Sequence, residues 1–174
     1  SGVWERLAIT ETITHPDWDA ATLTNDVALL RLASPSEVAT PELLSQNPTV
    51  SDWFGGDITY VGWGRTDDSL RDTSGTKRTV DIPAFGLDSL RVYTYSSDGQ
   101  NICFGDSGGA AFLTDETGQR RLAGVNSYLD SFSEDAPTCE GSHSFAAAAR
   151  VDTYIDWIGE YVELEPPHHA DPIV

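Results

Sequence analysis

Short stretches rich in Val, Ile, Tyr and Thr alternate with turn-forming residues along most of the chain. Such stretches are typical of β-strands, because branched and aromatic side chains pack well on a half-buried pleated surface. The predicted strands are Val3–Glu11, Val27–Leu32, Ile58–Trp63, Lys77–Ile82, Leu90–Tyr95, Gly109–Thr114, Arg121–Ser127 and Ser144–Val151. Many short strands in series predict an all-β fold, either a barrel or a sandwich.

The hydrophobic period changes near the end of the chain. The apolar residues at helical spacing there are Val151, Tyr154, Ile155, Ile158, Tyr161 and Val162. They predict an amphipathic C-terminal α-helix over 151–163, with Thr153 and Asp156 as a candidate capping box. Residues 164–174 contain three prolines and no apolar period, so we expect an extended tail or a linker.

The segment Gly105-Asp106-Ser107-Gly108-Gly109 is the strongest chemical signal in the sequence. Glycines permit the unusual backbone angles of a tight turn, and backbone N–H groups in such a turn can point at a developing oxyanion. Ser107 is therefore a candidate nucleophile. An ordinary glycine-rich turn is the alternative for this segment taken alone.

A second candidate residue, Asp26, precedes an apolar run that begins at Val27. We expect this carboxylate to be partly buried, and a buried carboxylate needs a hydrogen-bonding partner or becomes neutral. An aspartate at a strand edge or in a turn is the alternative for this residue taken alone.

Together with three further segments in the same order along the chain, the segments around Asp26 and Ser107 make the sequence resemble the trypsin-like serine proteases, which have the chymotrypsin fold. The matching segments are HPDW and LTNDVALLRL around Asp26, GWG at 62–64, GDSGG around Ser107, AGVNSY at 123–128 and ARVDTYIDWI at 149–158. The GTKR segment at 75–78 and the small number of cysteines are similar to the bacterial members.

The resemblance implies a double β-barrel with a C-terminal helix, in which the first barrel is incomplete on this chain. Residues 1–33 would supply the last strands of the first barrel, and 34–56 the crossover between barrels. Residues 57–150 would form the second barrel, 151–163 the helix and 164–174 the tail.

The resemblance also assigns catalytic roles. Ser107 would be the nucleophile and Asp26 the acid of a Ser-His-Asp triad, with the backbone N–H groups of Gly105 and Ser107 as the oxyanion hole. Asp106 would form the activation ion pair with a new N-terminal amine. Cys103 and Cys139 would form a disulfide, with free buried thiols as the alternative.

A triad of this family also needs a histidine, which the family carries in an Ala-Ala-His-Cys type segment before the aspartate. None of His15, His143, His168 and His169 fits that segment. We therefore expect an N-terminal companion chain of the same precursor to carry the histidine, and Ser1 to follow a cut in the first barrel. A catalytically inactive, protease-like binding module is the alternative function.

The residues implied in substrate binding are Asn101, Ile102, Ser127, Tyr128, Leu129 and Ala146. By the same resemblance, Asn101 takes the place of an acidic residue in the members that cut after Arg or Lys, which implies a neutral pocket floor and disfavours cleavage after those residues. Leu129 stands where the family usually has glycine and is expected to narrow the pocket entrance. A small or medium apolar P1 residue is the resulting expectation, with Ser127 to Leu129 pairing with the extended substrate.

The charge balance limits the range of partners. The chain has 28 acidic and 10 basic residues, a net charge of −18. Nucleic acid and anionic membranes are therefore not expected as partners, because both require clustered cations.

No cofactor is expected. Acidic pairs such as Asp67-Asp68 could hold structural calcium, but no calcium-loop motif supports this and no metal ligands are assigned. A disulfide and the family resemblance favour a secreted, extracellular or periplasmic protein.

GDSGG also satisfies the G-x-S-x-G nucleophile elbow of α/β-hydrolases, with Asp130 and His143 following Ser107 in the order of that triad. That fold requires a helix after the serine, whereas the following residues predict two strands and a turn. The elbow interpretation is therefore disfavoured.

Overall fold

The computed structural model describes residues 5–44, 48–54, 56–114 and 118–164. The start of the predicted strand Val3–Glu11 and nearly all of the predicted tail at 164–174 lie outside these ranges.

Most of the described chain forms one closed antiparallel barrel. Its strands are β3 (Asp57–Gly62), β4 (Arg78–Leu87), β5 (Arg91–Thr94), β6 (Ala110–Thr114), β7 (Arg120–Ser131) and β8 (Ser144–Arg150). They are hydrogen-bonded in the order β3-β4-β5-β8-β7-β6, and β6 pairs with β3 to close the barrel. The predicted all-β, chymotrypsin-like architecture is confirmed.

The alternation of side chains along each strand fills the barrel interior. Ile58 and Tyr60 on β3 are buried within the barrel, and Ala146 and Ala148 on β8 join the same cluster. Ala149 belongs instead to a second apolar cluster outside the barrel. Successive residues of β8 therefore serve two separate cores, because side chains alternate between the two faces of a strand.

The N-terminal part contributes a two-stranded antiparallel sheet. Strand β1 (Ile9–Thr14) pairs with β2 (Ala28–Leu32), with Ile13 opposite Leu29. Both of these residues pack in the second cluster together with Trp157. This cluster fixes the sheet and the C-terminal segment to each other.

The C-terminal segment is a 3-10 turn (Val151–Tyr154) followed by a short α-helix, α2 (Ile155–Gly159). A C-terminal helix was predicted, but the predicted capping box is wrong. Thr153 Oγ1 donates a hydrogen bond to the carbonyl of Arg150 at 2.8 Å, and no side chain caps the start of α2. The preceding 3-10 turn engages Thr153 before α2 begins.

The segment between the sheet and the barrel contains a helix that the strand pattern did not predict, α1 (Val50–Phe54). Thr49 and Asp52 bracket its start, with the Thr49 N–H donating to Asp52 and the Asp52 N–H donating to Thr49 Oγ1. This reciprocal arrangement is a capping box, whose Thr-x-x-Asp signal is present in the sequence.

Within the described ranges, no helix has the length and apolar character needed to cross a membrane.

Candidate active site

Strand β7 lies at the centre of the candidate site. One of its edges pairs with β8, whereas the partner of the other edge changes along the strand. Its pairing with β6 ends at Val125, and Asn126 then exchanges two backbone hydrogen bonds of 2.9 Å with the loop residues Gly108 and Gly109. Pairing with β8 continues to Ser131. In the described structure, residues 128–131 of β7 thus pair on the β8 side only, and Ser127 lies at a register shift, which leaves the opposite edge available to an extended peptide.

Asp26 is partly buried and reaches β7 directly. The hydroxyl of Ser127 donates a hydrogen bond to Asp26 Oδ2 at 2.5 Å. Ser127 is separated from Asp26 by 101 positions in the sequence, so this contact depends wholly on the fold.

The turn before Asp26 is unusual and is held by a residue of the barrel. Leu23 and Asn25 have positive φ angles of 54° and 55°, a left-handed conformation that residues other than glycine rarely adopt. The guanidinium of Arg91 on β5 donates hydrogen bonds of 2.9 Å to the carbonyls of Thr22 and Leu23. Arg91 thereby stabilises the turn that presents Asp26.

The loop containing Ser107 is anchored through the residue before it. The carbonyl of Asp106 accepts hydrogen bonds from the Gly109 N–H at 2.9 Å and from Asn126 Nδ2 at 3.1 Å. Ser107 itself is exposed. Gly105 has a φ angle of 96°, and a Cβ atom there would lie 3.2 Å from the Cα of Gly64, so both the backbone angle and the close packing favour glycine.

The carboxylate of Asp106 is partly buried and bound by two backbone N–H groups. Its Oδ1 accepts the N–H of Gly64 at 2.7 Å, and its Oδ2 accepts the N–H of Cys103 at 2.8 Å. A Cβ atom on Gly62 would overlap Asp106 Oδ1 at 1.9 Å. The glycines of the GWG segment therefore provide the space that this carboxylate occupies.

A cavity of about 590 Å³ lies behind the Ser107 loop, and Gly62, Asn101, Asp106 and Asn126 are among its lining residues. The predicted amine partner of Asp106 remains a prediction.

Asp26 and the loop that carries Ser107 are attached to adjacent positions of one strand. The Ser107 loop is bound to Asn126, and Asp26 is bound to Ser127. Consecutive Cα atoms are about 3.8 Å apart, so the two anchoring points are close neighbours. The fold thus brings Asp26 and the Ser107 loop to one region of the surface.

The described histidines have other environments. His15 packs against Tyr154 and Trp157, with ring centroids 5.3 and 4.8 Å away, and its Nδ1 accepts the N–H of Asp17. His143 lies in the loop before β8, where its carbonyl accepts the N–H of Phe132 at 2.9 Å. His168 and His169 fall outside the described ranges.

Cys103 and Cys139 form the predicted disulfide, with their Cα atoms 5.0 Å apart. Asp68 lies beside this bridge, and its Oδ2 accepts the N–H of Cys139 at 3.0 Å. One ligand atom from each of these three residues falls within 4.8 Å of the others. The sulfur atoms are bonded to each other, however, so they are not the thiolates that a metal site would use.

Both residues of the acidic pair Asp67-Asp68 accept hydrogen bonds, Asp67 from nearby Ser69 and Asp68 from the distant Cys139. Hydrogen bonds from the side chain and the N–H of Ser69 lower the pKa of Asp67 below its ordinary value. These contacts give no support to a structural calcium ion, for which the sequence assigns no ligands.

Apart from Ser127, the predicted substrate-binding residues lie in three environments. Ile102 and Ala146 are buried in the barrel core, and Leu129 packs against that core. Tyr128 lies on β7 with the guanidinium of Arg91 5.6 Å from its ring centroid. Asn101 lines the cavity behind the Ser107 loop, and its Oδ1 accepts the N–H of Ile102 at 3.0 Å.

The negative charge of Asp26 affects a neighbouring tyrosine. The pKa of Tyr154 is raised, first by burial and further by the charge of Asp26, which outweigh the opposing effect of Arg91. The Tyr154 hydroxyl donates to Asn25 Oδ1 at 3.3 Å, next to the aspartate. The C-terminal segment is therefore part of the wall around Asp26.

Three residues with evident structural roles in the site were not assigned those roles from the sequence. They are Ser127 as the partner of Asp26, Arg91 as the support of the preceding turn, and Asn126 as an anchor of the Ser107 loop. Each acts across a large sequence separation, and no local pattern signals it.

The elbow interpretation is wrong for this fold. Ser107 leads into strand β6, whereas an α/β-hydrolase elbow leads into a helix. Asp130 lies on β7 opposite Phe145, and its Oδ1 accepts the N–H of the adjacent Ser131.

A closed six-stranded antiparallel barrel, with a partly buried Asp26 and a glycine-rich Ser107 loop attached to neighbouring residues of one strand, is the arrangement of the chymotrypsin-fold class. Comparison with known proteins identifies the family: a profile described as Trypsin matches residues 2–158. The chain belongs to this family of trypsin-like serine proteases.

Several relatives are similar over most of the chain. Brachyurin from Leptuca pugilator is 29% identical over 159 residues, covering 90% of this chain and 69% of brachyurin. Vitamin K-dependent protein C from Oryctolagus cuniculus is 25% identical, covering 92% and 38% respectively. Phenoloxidase-activating factor 3 from Holotrichia diomphalia is 27% identical, covering 88% and 47%.

The chain thus spans about two thirds of brachyurin and less than half of the other two relatives. All three are eukaryotic proteins and give no support to the predicted similarity to bacterial members.

Proposed function

We propose that this chain supplies the nucleophile Ser107 and the triad acid Asp26 of a serine endopeptidase. The observation that carries the proposal is the attachment of both parts to successive residues of β7, Asn126 and Ser127. Membership of the trypsin family gives independent support.

In the proposed reaction, Ser107 Oγ attacks the carbonyl carbon of a peptide bond while an imidazole takes the hydroxyl proton. The negative charge on the former carbonyl oxygen is stabilised by the N–H groups of Gly105 and Ser107. The C–N bond then breaks as the imidazolium protonates the leaving amine. Water, activated by the same imidazole, hydrolyses the acyl-enzyme and releases Ser107.

The imidazole comes from outside this chain, on an N-terminal companion of the same precursor. Support comes from the packing of His15 against the C-terminal segment and of His143 in the loop before β8. Asp26, with Oδ2 bonded to Ser127, would orient the incoming ring and stabilise it when it is protonated.

Asp106 is proposed to receive the N-terminal amine that accompanies activation. Its carboxylate already accepts two backbone N–H groups and borders the cavity behind the Ser107 loop. A protonated amine in that cavity would neutralise the carboxylate charge and hold the loop in place.

The proposed substrate is an extended protein segment that pairs with the edge of β7 at Ser127 to Leu129. Leu129 lies opposite Ala146 and packs against the core cluster that includes Ile102, and its branched side chain favours a small or medium apolar P1 residue. A peptide-library profile dominated by Arg or Lys at P1 would contradict this preference. The disulfide and the family support secretion as the proposed localisation.

Fluorophosphonate labelling tests the proposal, because only an activated serine reacts readily with this reagent. The chain is co-expressed with the N-terminal part of its precursor and purified as a complex, and its masses are measured under denaturing conditions. We expect a second polypeptide containing a histidine, and labelling at Ser107. Ser107→Ala should abolish labelling, whereas Ser133→Ala, which changes an exposed loop serine, should not.

Asp26→Asn should reduce labelling strongly, because the imidazole would lose its orienting carboxylate. Replacing the companion's histidine by alanine should have a similar effect. A complex that binds peptides on β7 but neither reacts with the reagent nor cleaves them would refute the proposal and favour the inactive binding module.

A further inference from the structure

Asn126 is almost completely buried, with 2% of its surface exposed, and lies at the point where β7 leaves β6 and meets the Ser107 loop. Its Nδ2 donates to the carbonyls of Val61 at 3.3 Å and of Asp106 at 3.1 Å. Both partners can only accept, so the orientation of the side-chain amide is fixed. Its Oδ1 has no hydrogen-bond partner in the described structure.

The carbonyl that Asn126 holds belongs to the peptide unit between Asp106 and Ser107. All peptide bonds in the described ranges are trans, and in a trans unit the C=O and N–H groups point in opposite directions. Fixing the Asp106 carbonyl toward the interior therefore directs the Ser107 N–H away from it. This N–H is one of the two proposed oxyanion donors.

A second bond to the same carbonyl, from the Gly109 N–H at 2.9 Å, joins two residues of the loop, and Gly108 and Gly109 are themselves bonded to the backbone of Asn126. Asn126 differs because it is part of the barrel wall, through its pairing opposite Ala148 on β8. The side-chain amide of Asn126 thus connects the peptide unit between Asp106 and Ser107 directly to the barrel wall.

We propose that Asn126 is a positioning residue for the oxyanion hole and acts by fixing the peptide unit that carries the Ser107 N–H. The inference rests on the proposed function. Without the Asn126 side chain the Ser107 N–H is still present, but its direction is no longer fixed. The interaction that is weakened is therefore the hydrogen bond to the oxyanion of the transition state. Binding of the uncleaved peptide along β7 does not use that interaction.

The test compares Asn126→Leu with wild type in the active complex with the companion chain. Complete removal of an oxyanion donor typically lowers kcat by about 10²–10³. Asn126→Leu keeps the donor but loosens it, so we expect kcat to fall by less than this, roughly tenfold or more, with little change in KM. Affinity for a peptidyl boronate, which mimics the tetrahedral intermediate, should fall in parallel with kcat. Affinity for the corresponding product peptide should not change.

The matched control is Thr94→Val, which removes another buried hydrogen bond of the same barrel, between the Thr94 and Tyr60 hydroxyls at 2.9 Å. We expect it to lower the melting temperature and leave kcat unchanged. A loss of stability by itself therefore does not reproduce the expected effect of Asn126→Leu.

Asn126→Asp provides a second, isosteric test if the leucine variant does not fold. The ionised carboxylate has no proton to donate to the Asp106 carbonyl, whereas the protonated acid has one, and burial favours the protonated form. The ratio of variant to wild-type kcat should therefore rise as the pH is lowered.

Suppose that the wild-type complex is active. The inference would then be overturned if the folded Asn126→Leu variant had the wild-type kcat, or if the ratio of Asn126→Asp kcat to wild-type kcat did not change with pH. Either result would leave the proposed function intact. A wild-type complex without activity would overturn the proposed function and the inference with it.

Discussion

The hydroxyl of Ser127 donates a hydrogen bond of 2.5 Å to Oδ2 of Asp26 and links the turn before β2 to the barrel strand β7. Neighbouring Asn126 holds the Ser107 loop, so one short piece of strand sets the position of both proposed catalytic side chains. The geometry of the site therefore depends on β7 more than on either loop.

Replacing Ser127 by alanine should lower kcat of the active complex by about tenfold or more. The variant loses a hydrogen bond to a charged carboxylate, an interaction worth about 1.5–3 kcal/mol, and Asp26 would no longer be fixed for the imidazole. Steady-state kinetics with a peptide substrate provides the measurement. Ser131→Ala, at the far end of the same strand, is the control, and equal effects of both changes would argue against the role of Ser127.

Replacing Gly62 by alanine should abolish or greatly reduce activity while the barrel still folds. The added Cβ would overlap Asp106 Oδ1 at 1.9 Å, so the carboxylate and the attached Ser107 loop would have to move. Fluorophosphonate labelling and circular dichroism together test this expectation. Gly159→Ala is the control, because its Cβ would meet no atom within 4 Å, and full labelling of Gly62→Ala would contradict the prediction.

Strand positions were largely predictable from the sequence, but strand ends were not. The predicted strand over Lys77–Ile82 stops before Pro83, yet β4 continues to Leu87. Pro83 is tolerated because it pairs with Asp57, the first residue of β3, at the point where that ladder ends. Similarly, β7 extends past Ser127 because β8 provides a partner as far as Ser144, which no local pattern reveals.

The catalytic motif of the site was visible in the sequence, whereas the contacts that position it were not. Three glycines within 105–109 indicate a tight turn around Ser107 by themselves. The partners of Asp26 and of the Asp106 carbonyl are Ser127 and Asn126, which lie 101 and 20 positions away. Such pairings arise from barrel closure and strand register, which a single sequence does not encode locally.

Removing the disulfide should destabilise the chain substantially. The bridge between Cys103 and Cys139 spans 36 positions. A closed loop of that size is expected to contribute about 4 kcal/mol by restricting the unfolded chain. Urea unfolding of wild type and of the Cys103→Ala, Cys139→Ala double variant measures the difference. Equal unfolding midpoints, or an unchanged midpoint when the wild type is reduced, would contradict the expectation.

Asp88 should make stability depend on pH in the acidic range. Burial alone would raise the pKa of Asp88, but hydrogen bonds from the Tyr93 hydroxyl and from the N–H groups of Leu90 and Arg91, with the charge of Arg91, lower it overall. A carboxyl group with a lowered pKa in the folded state stabilises that state when ionised. The contribution is therefore present above the unfolded-state pKa of about 3.9 and is lost as the pH falls through the folded-state value.

Asp88→Asn should accordingly reduce the urea unfolding midpoint at pH 7, and the difference from wild type should narrow as the pH is lowered toward 3. The difference should be modest, because 39% of the Asp88 side chain is exposed and water screens its charge. Tyr93→Phe removes the hydroxyl that donates to Asp88 Oδ2 at 2.6 Å, so it should produce a smaller effect of the same sign. Asp135→Asn, which changes an exposed aspartate, serves as the control. If the difference in unfolding midpoint between wild type and Asp88→Asn stayed constant from pH 7 to pH 3, the Asp88 carboxylate would not stabilise the fold in this way.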